Sequence, residues 1–346
     1  MSQVDDLSLP RLNLTRVPPI NLIRADESLF AHELSKEIPA RRSETLSNVR
    51  MLPNGHLVRS FLPLPQSFAV HHRGVRKARR IISAMVRSVH FSLATVDRGL
   101  FATDEFSSGF FHWICDVLPR LEAIERSAPN ELRSRTLVVP AMAVFPYVPA
   151  SLAVYDFGGM HLMRKYEHAC CTDLLVMPPV APTGNYRPDL MLAVQERFRR
   201  RFLSGGGPDR IFISRSRASR RRIANEEQLL PVLERRGFGS LVAESLSFEE
   251  QVRRIGAASV LVGNHGAGLT HMLWMKPGSC VVELRQRGDR LNNCYFSLAS
   301  ALGIRYFYLL CDGTRPRGDA HVTDVVVRPD ELDSVLARAC AAAGTS

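Results

Sequence analysis

Three short segments carry residue types suited to a phosphorylated ligand and a hydroxyl nucleophile. In Val260–Met275, VLVGNHGAGLTHMLWM, an apolar run ends at Gly263, and His265, Gly266, Ala267 and Gly268 precede a second apolar run. A strand turning through glycines into a helix leaves backbone N–H groups unpaired at a positive dipole end, which favours a phosphate. Gly266 and Gly268 would leave room for a ligand, and His265 would stand at the strand's carboxyl end. The plainer alternative is a turn that needs glycines and a histidine that is packed. In Ile213–Leu230, ISRSRASRRRIANEEQLL, Ser214 and Arg215 again follow a strand-like run, and Arg217, Arg220, Arg221 and Arg222 crowd the loop behind them. Arginine forks grip diphosphate oxygens in pairs and could neutralise a departing nucleoside diphosphate without a metal. A solvated basic face or a nucleic-acid patch is the competing reading. Third, His112 and Asp116 lie four apart in Phe110–Ala128, hence on one helix face, where a carboxylate beside an imidazole suits a general base. Helices also carry such pairs by chance. Glu283 could accept ribose hydroxyls or stand in water.

These residues need elements to position them. After the breaker Gly205-Gly206-Gly207-Pro208, strands are expected at Arg210–Ser214, Gly239–Ala243, Ser259–Val262, Cys280–Leu284 and Arg305–Leu310. Helices are expected at Asn225–Arg235, Ser247–Ile255 (opened by a Ser247/Glu250 capping box), Gly268–Met275 and Leu291–Leu302. Alternation at short connections predicts a parallel, Rossmann-like α/β domain whose ligand lies outside the strand carboxyl ends. Before the breaker, Phe110–Ala128 is helical with a kink expected at Pro119, Thr136–Val139 and Leu174–Met177 are strand-like, and Asp189–Phe202 is helical, with Arg197, Arg199, Arg200 and Arg201 expected at the surface. Residues 1–65 are proline-rich and irregular, and Arg73–Arg87 reads as a basic helix leading into the alternating Val89–Val96. The expected divisions are an N-terminal domain over residues 1–204, a nucleotide-binding domain over 205–327, and a final helix over 328–346 that could pack back on the N-terminal domain.

Composition narrows the partners. The chain has 346 residues, enough for two domains at ~150 residues each, and 45% are hydrophobic, which excludes a wholly disordered or collagen-like protein. Lys+Arg total 45 against 34 Asp+Glu, a net +11, and only Lys36, Lys77, Lys165 and Lys276 are lysines. That excess suits a nucleotide or nucleic acid, although a general preference for arginine would explain most of the scattered residues. Seven cysteines without a C-x-x-C pair argue against a disulfide framework or a zinc site. An acidic pair near the N-terminus and the lack of ~20 consecutive apolar residues lead to the expectation of a soluble, cytoplasmic protein. A basic helix at Arg73–Arg87 would permit peripheral contact with anionic lipid.

Taken together, HWICDVLPRL (His112–Leu121), ISRSRASRRRIANEEQLL and SFEEQVRRIGAASVLVGNHGAGLTHMLWMKPGSCVVEL (Ser247–Leu284) resemble glycosyltransferase family 61, whose bacterial members are often labelled capsular polysaccharide biosynthesis proteins. The resemblance spans roughly Gly109–Asp312. It implies a GT-B-like α/β fold, two Rossmann-like domains facing a central cleft, and an inverting, metal-independent transferase. The implied donor is a nucleotide-sugar, expected to be UDP-linked and held as substrate with no separate cofactor. The implied acceptor is a glycan or lipid-linked glycan hydroxyl in surface polysaccharide biosynthesis. Carried over, Ser214, Arg215, Arg220 and Arg221 would meet the diphosphate, His265, Gly266, Ala267 and Gly268 would line the donor pocket, and Glu283 would face the nucleoside. Asp116 becomes the candidate base, with His112 orienting it or touching the acceptor. Family members commonly carry Asn where this chain has His271. Two rival classes are a nucleic-acid binder, disfavoured because Arg215–Arg222 holds no aromatic residue, and a non-catalytic sugar-nucleotide sensor.

Overall fold

The computed structural model describes residues 7–60, 62–67, 92–203, 206–315, 319–320 and 322–344. The expected basic helix Arg73–Arg87, the start of Val89–Val96, and Gly205 lie outside the described residues. The chain divides into two compact units. The first takes Met1–Leu12 and Ile38–Thr183, and the second takes Asn13–Glu37 and Gly184–Ser346.

The first unit is built on a seven-stranded sheet ordered Gly159–Leu162, Thr136–Val139, Ser92–Phe101, Glu167–Val176, Glu44–Met51, Leu57–Arg59, Leu62–Pro63. The first four strands run parallel and the remainder antiparallel. The expectation of a Rossmann-like N-terminal domain is therefore met in only part of the sheet. The proline-rich start supplies hairpin strands, which close with short turns where parallel strands need crossovers. Val49, Met51, Phe101, Val138, Leu174 and Val176 form its core. The expected helix over Phe110–Ala128 is present in three pieces: Phe110–His112, a π turn over Trp113–Val117, and Leu118–Ser127. Pro119 has no N–H to donate and its ring crowds the preceding turn. The widened turn just upstream, where the Leu118 N–H reaches back to the Trp113 carbonyl, takes up that misfit.

The second unit carries the expected alternation. Its six-stranded sheet is ordered Gly239–Leu241, Arg210–Ile213, Val260–Asn264, Cys280–Gln286, Arg305–Gly313, Val325–Val326. All pairs are parallel except the last, which is antiparallel. Val260, Val262, Val282, Phe212 and Phe307 are buried on strands covered from both faces, which is why these strands read as continuous apolar runs. Numbered by sequence within the unit, the parallel strands run 2-1-3-4-5. Strands one and three are adjacent, and the chain reverses its winding between Arg210–Ile213 and Val260–Asn264. The Ser247/Glu250 capping box opens the helix Phe248–Gly256 as expected.

Two expected divisions shift. Pro188–Phe202 belongs to the second unit, because Phe198 packs its ring 4.7 Å from Trp274 and against Phe248, and Gln195 donates to the Met275 carbonyl at 2.8 Å. Arg199, expected at the surface, donates to the carbonyls of Gly256 and Trp274. The division thus falls at Thr183/Gly184 rather than at the glycine breaker. The last helix, Pro329–Ala343, lays Leu332, Val335, Leu336 and Ala339 on the second unit's own core, and Arg236 clamps Asp333 at 2.8 and 2.9 Å.

Candidate functional site

The topology brings two of the three motifs together. In an open parallel sheet the ligand crevice opens at the carboxyl ends of the strands, where the winding reverses. Here the two strands flanking that point end at Ile213 and Asn264, so the arginine loop and the NHGAG turn are neighbours. Arg215 ties them. Its Nε donates to the Arg221 carbonyl at 2.8 Å and its Nη2 to the Arg220 carbonyl at 3.0 Å. From the other strand, the Asn264 amide donates to the same Arg221 carbonyl at 2.9 Å. A Cβ on Gly266 would come within 2.6 Å of Arg215 Nη1, so the glycine lets the guanidinium cross the turn. Gly268 serves packing rather than ligand room, since a Cβ there would meet Ile213 Cγ2 at 2.7 Å.

The loop's charges sort into two groups. Arg222 pairs with Asp324, through its backbone N–H at 2.8 Å and its Nε at 3.4 Å. Arg217, Arg220 and Arg221 have no carboxylate partner among the described residues, and Arg221 Nε is buried without a hydrogen-bond partner. Arg221 also holds a left-handed backbone, φ 55°, which a non-glycine residue adopts only under constraint from its surroundings. Burial, and then the neighbouring charge of Arg221, lower the pKa of Arg215. Arg217, Arg220 and Arg221 thus gather in one loop without carboxylates paired to them, an electrostatic condition that favours an added anion.

Two expected contacts are revised. Ser214 is buried, and its hydroxyl donates to Glu226, whose other carboxylate oxygen accepts from the Arg215 N–H at 3.3 Å. Ser214 therefore shapes the loop instead of meeting a diphosphate. Glu283 is fully buried, with its two oxygens taken by His265 Nδ1 and the Tyr306 hydroxyl. It has no atom to offer a nucleoside, and it orients His265. The His265 ring lies edge-on to Tyr295 at 5.0 Å, and its Nε2 has no partner among the described residues. The turn after Gly266 is a 3₁₀ helix, Ala267–Trp274, in place of the expected α-helix. Leu269–Trp274 are all buried, and the tighter winding fits this apolar segment under the neighbouring helices. His271 lies in that buried run. Burial pushes its pKa down to about 3, and its Nδ1 accepts from the Trp274 indole at 3.1 Å, so it is a core residue rather than a donor contact.

The third motif stands on the first unit. His112 Nδ1 and Asp116 Oδ2 lie 2.8 Å apart, and the Thr183 hydroxyl reaches the same oxygen at 3.4 Å. The His112 side chain is 27% exposed against 8% for Asp116. Phe106 stacks on the imidazole at 5.2 Å. Sequence reasoning missed what holds this pair. Asp104 and Arg120, both buried, form an ion pair, while Arg120 also donates to the Ala102 and Thr103 carbonyls at 3.1 Å. Asp104 in turn accepts from the Phe106 N–H at 2.9 Å, fixing the loop that enters the helix. Arg120 is part of the LPRL run, but only its burial separates it from a surface arginine. Asn264 and Glu226 were missed as well, although both lie within the motifs.

Among the described residues no cluster of three or more His, Cys, Asp or Glu side chains forms, and no helix is long and apolar enough to cross a membrane. All seven cysteines are free.

Comparison with known proteins agrees with the motif positions. Over 121 residues, 32% of this chain, the sequence is 35% identical to the EGF domain-specific O-linked N-acetylglucosamine transferase of Drosophila melanogaster. Over 83 residues it is 42% identical to the Protein O-linked-mannose beta-1,4-N-acetylglucosaminyltransferase 2 of Tetraodon nigroviridis, and over 96 residues 32% identical to the Xylan glycosyltransferase MUCI21 of Arabidopsis thaliana. These matches cover 23% and 26% of this chain. They span 23%, 14% and 19% of the three relatives' own lengths. The Glycosyltransferase 61 family model matches residues 110–282, half of the chain, running from the helix of His112 to the strand that carries Glu283, and the chain belongs to that family.

Proposed function

We propose that this protein transfers a sugar from a nucleotide-sugar donor, UDP-linked, to a hydroxyl of a glycan or glycoprotein acceptor. The observation that carries the reading is the joining of the arginine loop to the NHGAG turn through Arg215, Arg221 and Asn264 at the reversal point of the parallel sheet. Arg220 and Arg221 would take the diphosphate, and their charge would stabilise it as it leaves, which supports a metal-independent reaction. The 2-1-3-4-5 parallel sheet of the second unit supports the donor half of a GT-B arrangement.

The acceptor hydroxyl must lose a proton as it attacks the anomeric carbon from the face opposite the leaving group, with inversion. The His112–Asp116 pair is suited to accept it. Because His112 is the more exposed member and already faces Asp116 through Nδ1, we assign proton removal to His112 Nε2, with Asp116 holding the ring. This reverses the division of roles that the family resemblance implies. The nucleic-acid reading loses ground because Arg215 and Arg222 are committed to contacts within the protein.

Two of the relatives' names specify transfer of N-acetylglucosamine, so UDP-N-acetylglucosamine heads the donor screen. Incubation with a panel of UDP-, GDP- and CMP-sugars and mixed glycan and glycoprotein acceptors, read by mass spectrometry, tests the proposal. The expected result is an acceptor mass increase of one sugar with a single donor, retained in the presence of EDTA. Donor binding without transfer or hydrolysis for any member would favour a non-catalytic sensor.

A further inference from the structure

Behind His265 lies a chain of buried polar side chains that the proposed reaction does not itself use. Glu283 faces His265 on one side and Tyr306 on the other. Arg285, two residues along the same strand and also fully buried, balances the carboxylate. Burial opposes its charge, but the facing groups, the carboxylates of Glu283 and Asp289 among them, outweigh that and raise its pKa. Its two terminal nitrogens donate to Asn293 Oδ1 at 2.9 Å and the Asp289 carbonyl at 2.8 Å. Asn293 donates onward to the Leu29 carbonyl at 2.9 Å. Phe30, fully buried, lies 5.2 Å from the Arg285 guanidinium and edge-on to Tyr306. The early segment Asn13–Glu37 thus seals the far end of the chain within the second unit.

We propose that Glu283 and Tyr306 are positioning residues that lock His265 in the tautomer carrying its proton on Nδ1, leaving Nε2 as a hydrogen-bond acceptor for a hydroxyl of the nucleotide-sugar. A neutral imidazole has one donor and one acceptor nitrogen, and the partner of the first decides the role of the second. Burial, and then the nearby Glu283, hold the Tyr306 hydroxyl protonated, so it must donate to Glu283. The Glu283–Arg285 charges balance, which leaves the carboxylate free to accept from Nδ1–H without requiring a second cation.

The ligand part of this inference rests on the donor reading above, whereas the tautomer part does not. Imidazole 15N NMR of the free, full-length protein, at a pH where the ring is neutral, should show His265 protonated at Nδ1. A ring protonated at Nε2 overturns the proposal, whatever the protein binds. With the donor found in the screen, Glu283→Gln should raise KM roughly 10- to 100-fold, the effect of a mispositioned buried partner, and change kcat much less. Tyr306→Phe should do so more weakly while keeping the Nδ1 proton. Folded Glu283→Gln and Tyr306→Phe proteins with wild-type KM and an unchanged His265 spectrum would refute the positioning role. A wild-type protein that turns over no donor, yet shows the Nδ1 tautomer, would refute the transferase reading alone.

Discussion

The molecule holds two histidine–carboxylate pairs of similar composition and opposite surroundings. In His112–Asp116 the carboxylate stands on the π turn just below the surface, and the imidazole, on the helical turn before it, is partly exposed. In His265–Glu283 the carboxylate is fully enclosed, both oxygens are used, and the imidazole is nearly buried. The first pair leaves part of its imidazole accessible, as the proposed proton removal by His112 requires. The second fixes Nδ1 against a carboxylate whose other oxygen is held by Tyr306, and leaves Nε2 without a partner among the described residues. Residue types alone do not separate a reacting pair from an orienting one, because burial of the carboxylate and the number of its partners make that distinction.

Removing the imidazole of the exposed pair should have the largest effect. His112→Ala should lower kcat by about 10²–10⁴-fold, the usual contribution of a positioned base, with the donor KM retained and the protein folded. Asp116→Asn should fall short of that loss. Equal losses would return the proton to Asp116.

The support of the first pair comes next in size. Arg120→Ala leaves the Asp104 carboxylate buried and unpaired, and should cost about 3–5 kcal/mol in denaturant unfolding. Arg222→Ala, whose guanidinium is half exposed, should change stability by less than about 1 kcal/mol.

The donor side sharpens the comparison further. Arg221→Ala should weaken UDP binding by about 10-fold, a lost charge-assisted contact, and the wild-type affinity should fall with added salt. Arg217→Ala, on the exposed part of the loop, should move it little.

A separate effect, seen only on acidification, concerns His271. Its pKa falls from an ordinary 6.5 to about 3 because burial disfavours the cation. The unfolded chain binds a proton below about pH 6.5 that the native state refuses, so stability is full above that value. It declines as pH falls toward 3 by up to about 1.4 kcal/mol per pH unit. His271→Asn should flatten this part of the stability–pH curve, and an unchanged curve would remove His271 as its source.

The second unit was largely legible because its strands are buried on both faces and its connections are short, so period and composition agree. Arg210–Ile213, Val260–Asn264 and Cys280–Gln286 fall within a residue or two of expectation. The capping box was readable from Ser247 and Glu250 alone. The first unit was less legible, since its sheet mixes parallel and antiparallel pairs that no local pattern distinguishes. At the candidate site, sequence placed His265 and the arginines correctly in neighbouring loops. It could not tell that Ser214 and Glu283 spend their polar atoms inside the protein, because that depends on Glu226 and Tyr306, brought in by other elements. The alternation of Glu283 and Arg285 on one strand face was the available sign of a buried polar chain. The 3₁₀ winding after Gly266 had no such sign.

Isothermal titration of the full chain with UDP, GDP, CDP and the corresponding nucleosides shows whether the joined loops bind a nucleoside diphosphate, as proposed. UDP should bind, uridine should bind more weakly, and Arg221→Ala should narrow that difference by about 10-fold. Binding of no nucleoside diphosphate, or equal binding of nucleoside and nucleotide, would contradict it.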